Sequence, residues 1–253
     1  EVTVLLILIF TLARTYSFLN QLLLLLIAIP LIVFILFSLP NFAEFVLVQQ
    51  IRFFCLLVIV AVIFGFLLRE QVTFRISHPD TAIIHDGGVG TEAASRFLIE
   101  GRNPYSVLYY GVFKEERIYQ AGRINPLVTI YLYSPLMFIV NVPVLKLTEF
   151  LFNIIDIRFT LLIFFLATSL ISLIVIKDRL LFLIFFFLNP LIIHNIFIGA
   201  NDAIPLFFLI ASVVFLVLMK VNFATAFLAM ATGTKLTTAA FVPLYFLYLF
   251  LVY

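Results

Sequence analysis

Residues 45–68 read FVLVQQIRFFCLLVIVAVIFGFLL, a run with one charge, Arg52, and two glutamines near its start. A helix rises 1.5 Å per residue, and crossing the roughly 30 Å hydrocarbon core of a bilayer takes about 20 apolar residues. Lipid offers no partner for a backbone N–H or C=O, so a lone segment of this kind satisfies itself only as a helix. Working outward, the same vocabulary recurs near 17–38, 149–176, 180–199, 202–219 and 222–252, the last long enough to tilt or to break at Pro243. Residues 2–12 are too short to span alone and no small-residue cleavage site follows them, so they read as the tail of a truncated helix.

The whole chain agrees with this reading. Of its 253 residues 65% are hydrophobic and only 11% charged, with mean hydropathy +1.26, whereas soluble domains carry about 25% charged residues. The expected fold is an all-α, polytopic transmembrane helix bundle with a long extracytoplasmic loop containing short surface helices, seated in the plasma membrane. A net charge of +2 gives no reason to expect nucleic acid, and the single Cys55 excludes an internal disulfide. With 32 Phe and no Trp, an interfacial belt would rest on tyrosines such as Tyr131, Tyr133, Tyr245, Tyr248 and Tyr253.

Three regions follow: N-terminal spans over 1–68, a polar loop over 69–125, and C-terminal spans over 126–253. The loop holds half of the chain's charges, six of its nine glycines and two of its three histidines. Loops this long in compact proteins are usually functional. Within it Asp86-Gly87-Gly88 reads as a turn, and Thr91–Glu100 as a short surface helix with Ala94, Phe97 and Leu98 on one face. The basic residues Lys177, Arg179 and Lys220 place their turns on the cytoplasmic side. The loop and the Gly199–Asp202 turn then share the outer side. Residues 126–147, interrupted by Pro126, Pro135 and Pro143, are expected to dip into the bilayer and return; a full crossing is the alternative.

Intramembrane or loop-borne ionisable groups are the candidates for chemistry. Asp86, beside glycines that admit a close ligand, suits a general base for a hydroxyl, or else an Asx-turn or helix cap. Asn201 and Asp202 open a helix and serve either as caps or as contacts to a polar substrate. Lys235, about thirteen residues into its helix, suits a phosphate in a polar cavity, or an ion pair with Asp202 or Asp156. Arg102 could reach a surface phosphate. Asp156 and Arg158, two apart on a helix, are expected to point different ways and to serve packing; His194 reads as a core histidine. His78, Asp80, His85 and Asp86 offer a possible divalent-cation cluster, although their spacing matches no strong metal motif.

Four blocks in this order resemble the membrane-embedded GT-C superfamily, most closely the polyprenol-phosphate-mannose-dependent mannosyltransferases and their archaeal-type relatives. They are Asp86 with the Ala-containing segment ending in Gly101-Arg102-Asn103-Pro104-Tyr105; Tyr131-Leu132-Tyr133-Ser134-Pro135; Asn189-Pro190 with Gly199-Ala200-Asn201-Asp202; and Lys235 before Pro243. Ser134 departs from the family's Tyr-Pro-Pro wording, and Asn201-Asp202 from its Gln-x-Asn pattern. The resemblance implies transfer of a hexose, mannose above all, from a polyprenyl-phosphate donor to an extracytoplasmic glycan or lipid acceptor, with inversion. It also implies Asp86 as catalytic base and His85, Glu92, Arg102, Tyr133, Asn201, Asp202 and Lys235 as substrate contacts. No phosphate-cradling glycine loop for a nucleotide sugar is present. The competing readings are a transporter-like protein, or a non-catalytic subunit docking partners in a membrane complex.

Overall fold

The computed structural model describes residues 1–16, 21–39, 45–78, 84–113, 119–120 and 123–252. The described chain is helical apart from an antiparallel pairing of β1 (Tyr119–Gln120) with β2 (Arg123–Ile124). It divides into two compact units that interleave in sequence: Glu1–Ser77 with Ile176–Phe197, and His78–Val175 with Ile198–Tyr253.

The first unit contains α1 (Val2–Tyr16), α2 (Gln21–Leu36), α3 (Val46–Ser77), α9 (Arg179–Phe187) and α10 (Pro190–Phe197). Helix α3 runs nine residues past the expected end at Leu68, so the polar segment begins at His78 rather than at 69. Arg69, Glu70, Gln71 and Arg75 are competent helix formers, and no glycine or proline stops the helix before the sequence reaches Pro79. Phe64 on α3 packs edge-on against Phe187 and beside Phe197, at 6.1 and 5.7 Å between ring centroids, which seats the α9–α10 pair. That pair is not the straight helix expected over 180–199. It bends by 50° at Leu188-Asn189-Pro190, because Pro190 lacks the N–H that would continue α9 and the Asn189 carboxamide oxygen caps Leu191 instead, at 3.0 Å.

The second unit contains α4 (Asp86–Ile99), a 3-10 turn (Pro104–Ser106), and the short helices α5 (Pro126–Thr129), α6 (Pro135–Ile139) and α7 (Val142–Phe152). After them come α8 (Ile157–Ser172), α11 (Ala203–Val217), α12 (Val221–Thr234) and α13 (Phe241–Val252). Each proline of the 126–147 segment stands at the first or second position of its helix, where a missing N–H costs nothing. Taken together α6 and α7 form the run Pro135–Phe152. With Val46–Ser77 it is one of two runs among the described residues that are long and apolar enough to cross a membrane; the bent α9–α10 pair, counted as one span, makes a third. Phe150 and Phe250 stand 85% and 84% exposed, an arrangement that suits lipid rather than water as the surrounding medium.

The expected continuous helix over 149–176 breaks at Asn153, which caps α7 in the left-handed conformation at φ 53°. Asp156 then caps α8. Its carboxylate accepts the backbone N–H of Arg158 at 2.9 Å and the Arg158 guanidinium at 3.0 Å, and both side chains are 1% exposed. The two therefore face each other. Helical spacing does not apply to them, because Asp156 lies outside the helix it caps. The break expected at Pro243 falls instead at Lys235, whose extended backbone (φ −143°, ψ 119°) ends α12, and Pro243 sits in the first turn of α13. Tyr131 and Tyr245 are buried rather than interfacial, and Tyr253 lies outside the described residues.

Removing one partner of a buried ion pair leaves an uncompensated charge and costs roughly 3–5 kcal/mol. Arg158→Met should therefore lower the melting temperature in detergent sharply. Asp156→Asn added to it should recover most of the loss, because the amide keeps the cap and removes the charge. Equal melting temperatures for the single and double variants would contradict a paired Asp156–Arg158.

Candidate functional site

The site is built on the first turn of α4. His85 stands just before it, donating its N–H to the Ile198 carbonyl at 2.6 Å while its Nδ1 accepts the Gly87 N–H at 3.1 Å. His85, not Asp86, is thus the cap, and residues 86–88 are the helix's opening turn rather than a free-standing turn. Asp86 is left to occupy the first helical position, where the N-terminal dipole favours a carboxylate. The Asn125 amide donates to its Oδ2 at 3.0 Å. Asn125 does two jobs, since its Oδ1 also accepts the Leu127 N–H and so caps α5.

Two glycines make the approach of neighbours possible. A Cβ on Gly87 would lie 2.6 Å from the Tyr133 hydroxyl, 3.2 Å from His85 Nδ1 and 3.3 Å from the Asn201 amide nitrogen. A Cβ on Gly88 would fall onto the Gly199 carbonyl oxygen. Gly199 itself, at φ 77°, takes a conformation costly for other residues. The turn that follows brings in Asn201, 1% exposed, whose amide reaches the Gly87 carbonyl at 3.3 Å and Thr91 Oγ1 at 3.1 Å. Thr91 in turn meets the Tyr131 hydroxyl at 3.1 Å.

Asp202 pairs with Lys235, and the Lys235 ammonium lies 5.9 Å from the centre of the Tyr133 ring. The Tyr133 carbonyl accepts the Tyr105 hydroxyl at 2.6 Å. The first turn of α4 is thus met by His85 and Asn201, while Lys235 joins Asp202 to the Tyr133 ring. Lys235 does so from a helix break, not from the interior of a helix.

Glu92 and Arg102 lie elsewhere. The Glu92 carboxylate is buried against the start of α8, accepting the Ile157 N–H at 3.1 Å and pairing with Arg96 at 2.7 Å. Arg102 stacks over Phe97 at 4.5 Å and pairs with Glu100 at 3.4 Å. Asn125 and Thr91 were not singled out from the sequence. Asn125-Pro126 is legible there only as a helix start, and nothing local announces its second bond to Asp86. Among the described residues no three His, Cys, Asp or Glu side chains gather closely enough to hold a metal ion, and Asp80 lies outside those residues.

An aromatic cluster floors the site. Tyr109 and Tyr131 stack at 6.2 Å, and Tyr105, Tyr133 and Phe138 pack around Tyr131 within 6 Å. This cluster also orders the segment after α4, where Leu108 and Tyr110 stay exposed, as does Leu98 on α4. The buried face of α4 is instead its small and polar one, from Gly87 through Ser95. Burial pushes the Tyr131 phenol well above its ordinary range. Burial and the neighbouring Tyr105 push Tyr109 up to about 12.

A carboxylate held at a helix start by an amide can accept a proton from a hydroxyl, and an ammonium–carboxylate pair can contact a polyhydroxylated or anionic ligand. Comparison with models of known protein families finds no match, and no curated protein or solved structure matches either.

Two outcomes test this geometry. Gly87→Ala should destabilise the protein by about 1–3 kcal/mol through overpacking, and Tyr133→Phe, which removes the nearest atom, should relieve most of that cost in a double-variant cycle. An equal penalty in both backgrounds would place the Tyr133 hydroxyl elsewhere. For Tyr109, the unfolded phenol loses its proton near pH 10 and the folded one near 12. Stability is therefore intact below about pH 10 and falls as the pH climbs toward 12. The alkaline decline in melting temperature should be shallower in Tyr109→Phe than in the unsubstituted protein.

Proposed function

We propose that this chain is a multi-pass membrane glycosyltransferase of the GT-C type. It would use a polyprenyl-phosphate sugar, mannose first among the hexoses, and act on a glycan or lipid acceptor at the extracytoplasmic face. One observation carries the reading. Four blocks far apart in sequence, around Asp86, Tyr133, Asn201 and Lys235, meet through direct contacts: Asn201 on Gly87, Tyr105 on Tyr133, and Lys235 on both Asp202 and the Tyr133 ring. Those are the same blocks, in the same order, on which the family resemblance rests.

In the proposed reaction the acceptor hydroxyl oxygen attacks the anomeric carbon as its proton passes to the Asp86 carboxylate. The bond from that carbon to the donor phosphate oxygen breaks, its electron pair leaving with the phosphate, and configuration inverts. Asn125, donating to one Asp86 oxygen at 3.0 Å, fixes the carboxylate's orientation. Lys235 meets the charge growing on the departing phosphate. Asp202 holds the ammonium in place between turnovers. His85 and Asn201 keep the α4 opening turn rigid through the Ile198 and Gly87 carbonyls.

The test is Asp86→Asn, assayed in purified protein with a polyprenyl-phosphate sugar and candidate acceptor glycans, with transfer read by mass. The amide can still accept from Asn125, so folding should persist. Loss of the proton acceptor should cut transfer by roughly 10²–10⁴-fold. Lys235→Gln should raise the donor concentration needed without altering acceptor preference. Full activity in Asp86→Asn would remove this mechanism and favour a transporter-like protein or a non-catalytic subunit.

A further inference from the structure

The unit formed by Glu1–Ser77 and Ile176–Phe197 holds a second cluster of charge that the reading above does not use. A cavity of about 550 Å³ is lined there by Glu1, Gln49, Arg52, Lys177, Asp178 and Arg179, with Phe53 and Leu180 as its apolar edge. Arg52 is 7% exposed, on the second turn of a helix whose next sixteen residues carry no charge. One of its terminal nitrogens meets the Glu1 carboxylate, and its guanidinium lies over the Phe34 ring at 5.1 Å. Its Nε is buried with no hydrogen-bond partner.

A guanidinium carries five donors in a planar fork, and leaving a buried one unmade costs free energy. The apolar run that follows argues against placing a cation here for packing alone. The other members of the cluster point to an anion. Lys177 and Arg179 are exposed and line the same cavity. The nine-residue helix α9 begins at Arg179, so its opening N–H groups and positive dipole end lie at the cavity. The two lining carboxylates already have partners: Asp178 caps α9 through the Leu181 N–H at 3.1 Å, and Glu1 meets Arg52. Three cations and a helix start thus line a space large enough for a phosphate together with the group that carries it.

We propose that this cavity is a phosphate-binding site, taking the phosphate of an anionic lipid headgroup or the same group free in solution. Arg52 supplies the planar fork, and Lys177 and Arg179 close over the remaining oxygens. The position suits a headgroup. Lys177 and Arg179 sit at a short basic turn between apolar stretches, where anionic leaflet lipids attract cations, and Phe53 and Leu180 offer an apolar edge to the glycerol and first acyl carbons.

The experiment uses the full chain in detergent and reads the melting temperature against added dioctanoyl-phosphatidic acid, dioctanoyl-phosphatidylcholine and inorganic phosphate. Phosphatidic acid should stabilise the protein in a saturable manner while phosphatidylcholine does not. Stabilisation by inorganic phosphate as well would assign the site to the free anion, and its absence to the lipid. The double variant Lys177→Gln/Arg179→Gln, both exposed and tolerant, should bind roughly tenfold or more weakly, the factor for losing charge-assisted hydrogen bonds. Lys220→Gln, which removes a basic charge from the other unit, should bind as the unsubstituted protein does. Arg52→Lys keeps the charge and loses the fork, and should bind more weakly than the unsubstituted protein. No stabilisation by either phosphate ligand, or an equal loss in Lys220→Gln, would overturn the proposal.

Discussion

The closest constraint in the second unit is the meeting of two backbones, the first turn of α4 at Gly88 and the turn at Gly199. No side chain fits between them. The His85 N–H to Ile198 carbonyl bond, at 2.6 Å, lies beside that contact and fixes its register. With the two backbones this close, the Asn201 amide falls within reach of the Gly87 carbonyl and Thr91. Asp202 is then presented one residue later, where Lys235 meets it. The placement of Asn201 and Asp202 beside the first turn of α4 follows from two residues having no side chain.

Burial sets the character of what surrounds this contact. The tyrosines beneath α4 are packed so tightly that ionising them is costly, which keeps Tyr109 and Tyr131 as neutral hydrogen-bonding groups at any ordinary pH. Tyr109 donates to the Pro104 carbonyl at 2.9 Å and its N–H reaches the Val128 carbonyl at 2.9 Å. The aromatic cluster is therefore a polar joint as well as an apolar core, and it binds the residues after α4 to those before α6. Glu92 and Asp156 perform the parallel task at the other end, where both help to hold the start of α8. Charge in this unit includes the Asp156–Arg158 pair, sealed from solvent, and more exposed groups such as Asp202 and Lys235.

Both proposed binding regions combine a helix start with groups whose charge has a named partner. At Asp86 the partner is an amide and the helix dipole holds a carboxylate in place. At Arg52 the partner is Glu1 and one donor remains without an acceptor. The first arrangement suits proton transfer, because an amide orients a carboxylate at a helix start. The second suits capture of an oxyanion.

Much of the helix content was legible in the sequence. Long apolar runs with few charges admit one backbone solution in lipid; Val46–Ser77 begins and Ala203–Val217 falls where those runs predict. Prolines and Asx residues set several boundaries through local backbone chemistry, as Asn189-Pro190, Asn125-Pro126 and Asp178 do, although a straight helix was expected across the first of these. Asp86, Asn201, Asp202 and Lys235 were likewise singled out as candidates from residue type and spacing, and the structure sets Asn201 on the first turn of α4 and Lys235 on Asp202. What sequence could not give was anything decided by contact at a distance. His85 displaced Asp86 as the cap, Glu92 went to a helix junction 65 residues away, Asn125 acquired a second partner, and Asp156 turned onto Arg158. Local periodicity measures which face of an element is apolar. The partner of a polar side chain depends on which backbone can come near it, and here two glycines 111 residues apart made that decision.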